Sequence, residues 1–284
     1  MERLAILAPA LVPAAYMIVM FAVYVVRTAA GRPPAVGGAE SKRASALFGR
    51  FLTTYFLWLL QPILQVGVRL RLSPNTFTLA SLAFCLGAAV AIATHHLATG
   101  AWLYVFAGAL DILDGRLARA TGKPTRAGAF LDSVGDRWGE LLVLSGFVWY
   151  LRDSAWLGAA VLAIAGSMMV SYTRARGEGV GLTLDGGTMQ RAERVAIVAM
   201  GALVTAWFEA GPATAEYGLH VIGAALLITG VGATMTALGR WYSGYRRLVE
   251  MDAAAGGEPD EVRGKHDGSA RASRASEDKQ LGAW

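Results

Sequence analysis

The chain has 284 residues, of which 55% are hydrophobic and only 17% are charged. Because a soluble domain usually carries about 25% charged residues, this composition excludes an ordinary soluble protein and predicts a membrane protein. The single cysteine, Cys85, excludes an internal disulfide and a cysteine-based metal cluster. Basic residues in cytoplasmic loops explain the net charge of +5, so we predict no nucleic-acid partner.

Seven apolar windows of about 20 residues follow one another along the chain, each long enough to cross about 30 Å of hydrocarbon as a helix. The windows lie at about 4–26, 76–98, 101–121, 127–151, 156–176, 191–211 and 217–239. The first window lacks a basic start and a clean cleavage site. We therefore interpret it as a retained anchor helix and not as a signal peptide.

The segment between the first two windows, 46–72, is apolar and aromatic, but arginines bracket it and Pro62 interrupts it. This pattern favours an amphipathic helix in the membrane interface, with a spanning helix kinked at Pro62 as the alternative. The C-terminal segment consists largely of small and polar residues of mixed charge, so it cannot bury enough apolar surface to fold. The predicted regions are an anchor helix with its linker (1–45), the interfacial helix (46–72), a six-helix transmembrane domain (73–248) and a disordered cytoplasmic tail (249–284).

Basic residues are concentrated in alternate loops of this all-α, polytopic arrangement. They precede the second window, and they lie between the third and fourth windows, between the fifth and sixth, and after the seventh. By the positive-inside rule these loops face the cytoplasm. We therefore predict a multi-pass protein of the cell membrane with its N-terminus outside and its C-terminus inside.

Four aspartates lie in the stretch DILDGRLARATGKPTRAGAFLDSVGD, residues 111–136, between apolar runs. Asp111 and Asp114 are three residues apart, and Asp132 and Asp136 are four apart, so each pair shares one face of its helix. The short loop between the two helices predicts antiparallel neighbours. The four carboxylates can therefore converge between these helices, near the cytoplasmic surface.

The negative charge of such a cluster must be neutralised. An ionised aspartate at membrane depth costs at least about 2.5–3.5 kcal/mol, and like charges repel. Divalent cations can provide the positive charge, and carboxylate oxygens favour Mg²⁺, Mn²⁺ or Ca²⁺ over zinc. Two ions can share four carboxylates, as in two-metal phosphoryl-transfer sites. Gly115, Ala118 and Gly128 leave space beside the aspartates, and Arg119 adds a positive fork, a combination that suits a phosphate-bearing substrate. Helix packing by the glycines and snorkelling by Arg119 are the alternatives.

A membrane cation transporter or proton-relay protein is the competing class, because intramembrane carboxylates also mark such pathways. A transporter predicts acidic residues on several helices and access from both faces. Here all four aspartates fall on two adjacent helices near one face. This distribution favours an enzyme that receives its substrates from the cytoplasm and the lipid.

The pattern D-x2-D-G-x2-A-R-x8-G-x3-D-x3-D resembles the signature of the CDP-alcohol phosphotransferase family (CDP-alcohol phosphatidyltransferases). The chain matches its eight fixed positions: Asp111, Asp114, Gly115, Ala118, Arg119, Gly128, Asp132 and Asp136. The resemblance extends over about 70–240, and SPNTFTLASL at 73–82 resembles the start of the family's first core helix. It implies a six-helix catalytic bundle, a homodimer and two Mg²⁺ or Mn²⁺ ions.

The resemblance also implies a reaction, in which a phosphatidyl group passes from CDP-diacylglycerol to the hydroxyl of a polar acceptor and CMP is released. Carried over by position, Asp111, Asp114 and Asp132 hold the metals, and Asp136 contacts a metal and serves as the general base. Gly115, Ala118, Arg119 and Gly128 would then shape the pocket for the CDP moiety.

A second basic cluster bears on the acceptor, since Ser171, Arg174, Arg191 and Arg194 end one span and open the next. Guanidinium groups suit an anionic acceptor such as a sugar phosphate, whereas positive-inside anchoring explains Arg176 and Arg191 equally well. Ser171, Arg174 and Arg194 resemble the acceptor-phosphate positions of the phosphatidylinositol-phosphate synthase branch, although that branch usually has lysine where this chain has Arg174. Inositol phosphate is therefore the first prediction and glycerol 3-phosphate the second.

Overall fold

The computed structural model describes residues 2–32, 49–122, 124–211 and 214–256. In these residues the regular secondary structure is helical, as predicted. The helices are α1 (Glu2–Ala29), α2 (Gly49–Leu59), α3 (Gln61–Arg69), α4 (Pro74–Ala93), α5 (Leu97–Ala120), α6 (Arg126–Tyr150), α7 (Leu157–Glu178), α8 (Arg191–Glu209) and α9 (Ala215–Gly256).

Six helical segments of the described chain are long and apolar enough to cross a membrane. They are Leu11–Ala29, Gly49–Arg69, Pro74–Ala93, Leu97–Ala120, Leu157–Glu178 and Ala215–Ala254. The multi-pass prediction is confirmed, but the set differs from the seven windows. Helices α6 and α8 fall outside it because both carry several charged residues, whereas the segment 49–69, predicted to lie in the interface, falls inside it.

Helix α4 packs along both α5 and α6, whereas α5 and α6 contact each other little. The predicted antiparallel neighbours are therefore held apart by α4 over most of their length. Glycines on α6 make the close approach to α4. A Cβ at Gly146 would lie 2.7 Å from the Ala89 carbonyl oxygen, and one at Gly139 would lie 2.9 Å from the Cys85 Sγ.

Helices α7 and α9 form the most extensive pair in the bundle, and α8 packs on both α9 and α5. The α7–α9 contact is also made by glycines, since a Cβ at Gly166 would lie 2.8 Å from the Gly230 carbonyl oxygen. A core of fully buried side chains, including Leu144, Phe147 and Leu226, fills the space between these helices. The bundle thus fixes the relative positions of α4, α5, α6 and α8, which carry the site.

The predicted interfacial helix is divided into α2 and α3 at Leu60, next to Pro62. Proline has no backbone N–H and cannot continue the hydrogen-bond ladder of the preceding turn. The buried Arg116 of α5 braces this junction, because its guanidinium donates to the Leu57 carbonyl oxygen at 3.0 Å and to the Gln61 Oε1 at 3.1 Å. The segment is therefore attached to the outer side of the helix that carries Asp111 and Asp114.

The predicted anchor helix, α1, lies against α2, α5 and α8. An aromatic cluster joins α1 to α2: Phe21, Tyr24, Phe51, Tyr55 and Trp58. The Tyr55 hydroxyl donates to the Met17 carbonyl oxygen at 2.6 Å. Other apolar side chains of α1, including Val12, Ile18 and Val26, are exposed and suited to contact lipid.

The last helix, α9, continues to Gly256 and so includes the first residues of the predicted tail. The loop between α7 and α8 packs on α9 just before these residues, where Arg247 donates to the Thr183 carbonyl oxygen at 3.2 Å. Most of the predicted linker, from residue 33 onward, and the rest of the predicted tail, 257–284, lie outside the described residues.

Candidate active site

Three of the four aspartates converge at one end of the bundle. Asp111 and Asp114 lie in the last three turns of α5, and Asp132 lies in the second turn of α6. A carboxylate oxygen from each lies within 4.8 Å of those from the other two. The convergence predicted from the spacing is therefore present for three of the four aspartates, although α5 and α6 approach each other only near this end.

Helix α4 contributes a hydrogen bond to this cluster. The Thr78 hydroxyl donates to the Asp114 Oδ2 at 2.7 Å, and both side chains are buried. Asp114 is the most buried of the three carboxylates. The Thr78 hydroxyl therefore fixes the orientation of a carboxylate that has little contact with water.

The fourth aspartate, Asp136, lies one helical turn after Asp132 and is held by an arginine from α8. The Arg191 Nη1 contacts the Asp136 Oδ1 at 2.7 Å and also contacts the Asp111 Oδ2. These three side chains are only about one-fifth exposed. Arg191 thus joins the aspartates of α5 and α6, a role that its position at the start of α8 does not reveal in the sequence.

The four residues predicted to shape the CDP pocket lie around the same end of the bundle. Arg119 is exposed and folds back over Gly115, with its Nη1 3.3 Å from the place of a Cβ there. Ala118 is half-buried between them on α5. Gly128 lies in the first turn of α6, where a Cβ would approach the Asn75 Oδ1 of α4 to 3.4 Å. The first turn of α4 thus adds a polar side chain beside Gly128.

The three predicted acceptor residues have different surroundings. Arg194 is buried and forms a two-point ion pair with Glu140 of α6, with N–O distances of 2.5 and 2.8 Å. Arg174 is exposed and pairs with Glu178 at 3.0 Å and with Asp185 at 3.7 Å. Ser171 is half-buried on α7, one turn before Arg174. Arg194 is therefore engaged inside the bundle, whereas Arg174 is accessible.

A cavity of about 490 Å³ lies between the α7–α8 loop and α9. Its lining includes Asp185, Gly187, Thr236, Arg240 and Arg247. The loop residues are fixed by hydrogen bonds across the cavity wall, since Arg240 donates to the Gly186 carbonyl oxygen at 2.8 Å. Gly187 is only four residues before Arg191, a span of at most about 14 Å, so this cavity neighbours the aspartates.

The donor set at the aspartate cluster fits a hard divalent cation. All three groups are carboxylates, and the 4.8 Å limit on their separation suits oxygens that each lie about 2.0–2.6 Å from a shared ion. The hydrogen bond from Thr78 to Asp114 is the kind of support that orients a metal ligand. The residues present therefore fit the expected Mg²⁺ or Mn²⁺ site.

A bundle of apolar helices with a carboxylate cluster at one end defines a multi-pass membrane protein with a site for divalent metal. Residues 71–235 match the family model described as CDP-alcohol phosphatidyltransferase, which is more than half of the chain. The chain belongs to this family, and it is an enzyme of this class. The resemblance drawn from the eight-position motif is thereby confirmed.

Several curated relatives share one name, phosphatidylinositol phosphate synthase. The protein from Streptomyces avermitilis is 32% identical over 248 residues, which are 80% of this chain and 96% of that protein. The protein from Corynebacterium glutamicum is 34% identical over 149 residues, which are 50% of this chain and 68% of that protein. Both relatives are matched over more than two-thirds of their own length.

Solved structures of Mycobacterium tuberculosis phosphatidylinositol phosphate synthase have the same fold. One, in complex with manganese and citrate, is 28% identical and has a TM-score of 0.58, covering 65% of this chain and 88% of that one. Another, with CDP-DAG bound, is 28% identical with a TM-score of 0.57, covering 65% of this chain and 92% of that one. Divalent metal is the cofactor of this enzyme class, and the acidic cluster described above is where this chain can hold it.

Proposed function

We propose that this enzyme transfers a phosphatidyl group from CDP-diacylglycerol to a hydroxyl of inositol phosphate and releases CMP. The observation that carries the proposal is the convergence of Asp111, Asp114 and Asp132, in a chain related to phosphatidylinositol phosphate synthases over nearly the full length of one of them. A relative solved with CDP-DAG bound supports the choice of donor.

In this proposal Asp111, Asp114 and Asp132 would hold two divalent ions, and Asp136 would contribute a further carboxylate to them. Bound there, the ions would supply positive charge to the phosphoryl oxygens and to the departing CMP. Gly115 and Gly128 leave room for the cytidine diphosphate, and Ala118 is small enough not to obstruct it. The Arg119 guanidinium, exposed above Gly115, is placed to donate to a diphosphate.

Asp136 takes the proton in the proposed step. The acceptor hydroxyl oxygen attacks the phosphorus that carries the diacylglycerol, the bond from that phosphorus to the CMP oxygen breaks, and the hydroxyl proton passes to the Asp136 carboxylate. Asp136 lies four residues after Asp132 on α6, so the two carboxylates share one helix face and Asp136 is beside the proposed metal ligands.

The acceptor phosphate is proposed to bind through Ser171, Arg174 and Arg194. Arg174 is exposed and has only solvent-accessible acidic partners, so an anion can displace them at low cost. Arg194 contributes only by exchanging Glu140 for the acceptor phosphate, because its guanidinium is fully engaged by Glu140 and the Met189 carbonyl oxygen. The nearby cavity with Arg240 and Arg247 supplies space and further positive charge.

Two further features belong to this proposal. The active site faces the cytoplasm, since the aspartates lie at the helix ends that the basic loops assign to that side. The enzyme acts as a homodimer in the cell membrane, as family membership suggests. Crosslinking in native membranes, followed by mass measurement of the purified complex, tests the dimer.

A panel of acceptors tests the reaction with the purified full chain, CDP-diacylglycerol and Mn²⁺ or Mg²⁺. We expect CMP release with inositol phosphate to exceed that with glycerol 3-phosphate, and inositol and serine to support little. Asp136→Asn should abolish the release, whereas Asp153→Asn, an exposed residue in the loop after α6, should not. Preference for an acceptor without phosphate, or full activity of Asp136→Asn, would contradict the proposal.

A further inference from the structure

Arg191 occupies the acidic cluster in a way that conflicts with metal binding. Its Nη1 contacts both Asp111 and Asp136. Asp111 also belongs to the three carboxylates whose oxygens lie within 4.8 Å of one another. A guanidinium and a divalent ion on the same carboxylate repel each other, and they compete for the same oxygen lone pairs.

The way in which Arg191 is held suggests that the contact can be exchanged. Both ion pairs use the single nitrogen Nη1, whereas the buried Nε has no hydrogen-bond partner. A fork that binds a carboxylate through two nitrogens, as Arg194 binds Glu140, is held more firmly. Arg191 is also the first residue of α8, directly after the loop, so its side chain can move without disturbing a helix interior.

We infer that Arg191 is an internal counterion that neutralises Asp111 and Asp136 while the metal site is empty, and that metal binding displaces its guanidinium from them. This inference rests on the proposed assignment of Asp111, Asp114 and Asp132 as metal ligands. Its consequence is a reduced apparent metal affinity, because only the fraction of molecules with Arg191 withdrawn can accept the ion. The displaced guanidinium is then free to donate to an anion.

The reactivity of Arg191 toward phenylglyoxal tests the displacement in the unaltered full chain. The reagent modifies free guanidinium groups, and mass spectrometry locates the modified residue. We expect the modification rate of Arg191 to rise about tenfold when Mn²⁺ replaces EDTA, as it would if Arg191 were withdrawn in about one molecule in ten without metal. Arg194, engaged with Glu140, should stay unreactive in both conditions, and the exposed Arg246 should react equally in both.

Binding of Mn²⁺, measured by electron paramagnetic resonance without substrates, provides the second readout. Arg191→Gln should bind Mn²⁺ about tenfold more tightly than the unaltered chain, from the same population arithmetic. Arg191→Lys keeps the positive charge without the planar fork and should fall in between. Arg246→Gln is the matched control, because it removes an exposed arginine from α9, and it should leave the affinity unchanged.

The outcomes separate this inference from the proposed function. If the unaltered chain binds Mn²⁺ but Arg191 becomes no more reactive, or if Arg191→Gln binds Mn²⁺ no more tightly, Arg191 is a fixed part of the site and the inference is overturned. If Asp114→Asn binds Mn²⁺ as well as the unaltered chain does, the ligand assignment itself fails. The phenylglyoxal experiment needs no variant, so misfolding of Arg191→Gln would not leave the inference undecided.

Discussion

At the scale of single residues, a deeply buried ion pair lies apart from the aspartate cluster. Glu140 is 3% exposed and Arg194 is 2% exposed, and they pair through two N–O contacts between α6 and α8. Removing one partner of such a pair leaves an uncompensated charge in an apolar interior. This pair therefore locks two helices that both carry site residues.

We expect Glu140→Gln to destabilise the protein by about 3–5 kcal/mol, because Arg194 would stay buried without its countercharge. The double change Glu140→Leu with Arg194→Met should recover much of that loss. Thermal unfolding of purified protein in detergent measures both. Equal destabilisation by the single and double changes would show that the two residues do not act as a pair.

The hydroxyl of Thr78 provides a second prediction at this scale. Thr78→Val keeps the shape of the side chain but removes the donor to the Asp114 carboxylate. Metal affinity or activity should fall by about 10–100-fold, the usual effect of losing the partner that orients a ligand. Activity as a function of Mn²⁺ concentration checks this, and Thr78→Ser, which keeps the hydroxyl, should retain most of it.

Sequence spacing identified the aspartates because three- and four-residue intervals fix a shared helix face regardless of tertiary structure. Spacing could not distinguish the role of Arg191 from that of Arg194. These two lie three residues apart, so both face the bundle, and their partners depend on how the bundle places α8 relative to the acidic residues of α5 and α6. The predicted acceptor residue Arg194 is bound to Glu140, and Arg191, which is equally consistent with membrane anchoring, contacts the aspartates.

At the scale of elements, α4 determines how the site opens. It separates α5 from α6 along their length, so these two helices meet only near the aspartates. Periodicity within each helix contains no information about such an insertion, which depends on contacts between distant parts of the chain. By contrast, the break beside Pro62 could be predicted, because it follows from the missing N–H of one residue.

Gly146 tests the α4–α6 contact. In Gly146→Ala the new methyl would lie 2.7 Å from the Ala89 carbonyl oxygen and 2.9 Å from its Cα, and backbone atoms cannot rotate away. We expect a loss of about 1–3 kcal/mol, typical of overpacking, seen as a lower temperature of unfolding. Gly158→Ala, also in a helix but with nothing within 4 Å, should be neutral or stabilising.

At the scale of the whole molecule, the aspartates and the loops rich in arginine share one end of the bundle. The turn between α6 and α7, with the exposed Asp153, lies at the other end of α6. Helix ends connected by short loops must alternate between the two sides of a membrane. The proposed orientation therefore places the two ends of α6 on opposite sides of the membrane.

Cysteine labelling in intact cells checks this orientation. The native Cys85 is 1% exposed, so it should contribute little background. An impermeant maleimide should label Asp153→Cys in intact cells, but Pro124→Cys, at the exposed start of α6, only after permeabilisation. The reverse pattern would place the active site outside, and the unaltered chain is the control.

The ion pair between Glu140 and Arg194 also bears on how the chain is made. The ribosome delivers α6 first, then α7 and only later α8, so Glu140 is synthesised long before the arginine that neutralises it. Inserting a helix with an unpaired charge near its centre costs at least about 2.5–3.5 kcal/mol, and α6 is already too charged to qualify as a span by composition. We therefore expect α6 to insert fully into the bilayer only after α8 has been synthesised. Assembly of the acidic site would then be a late event in biosynthesis.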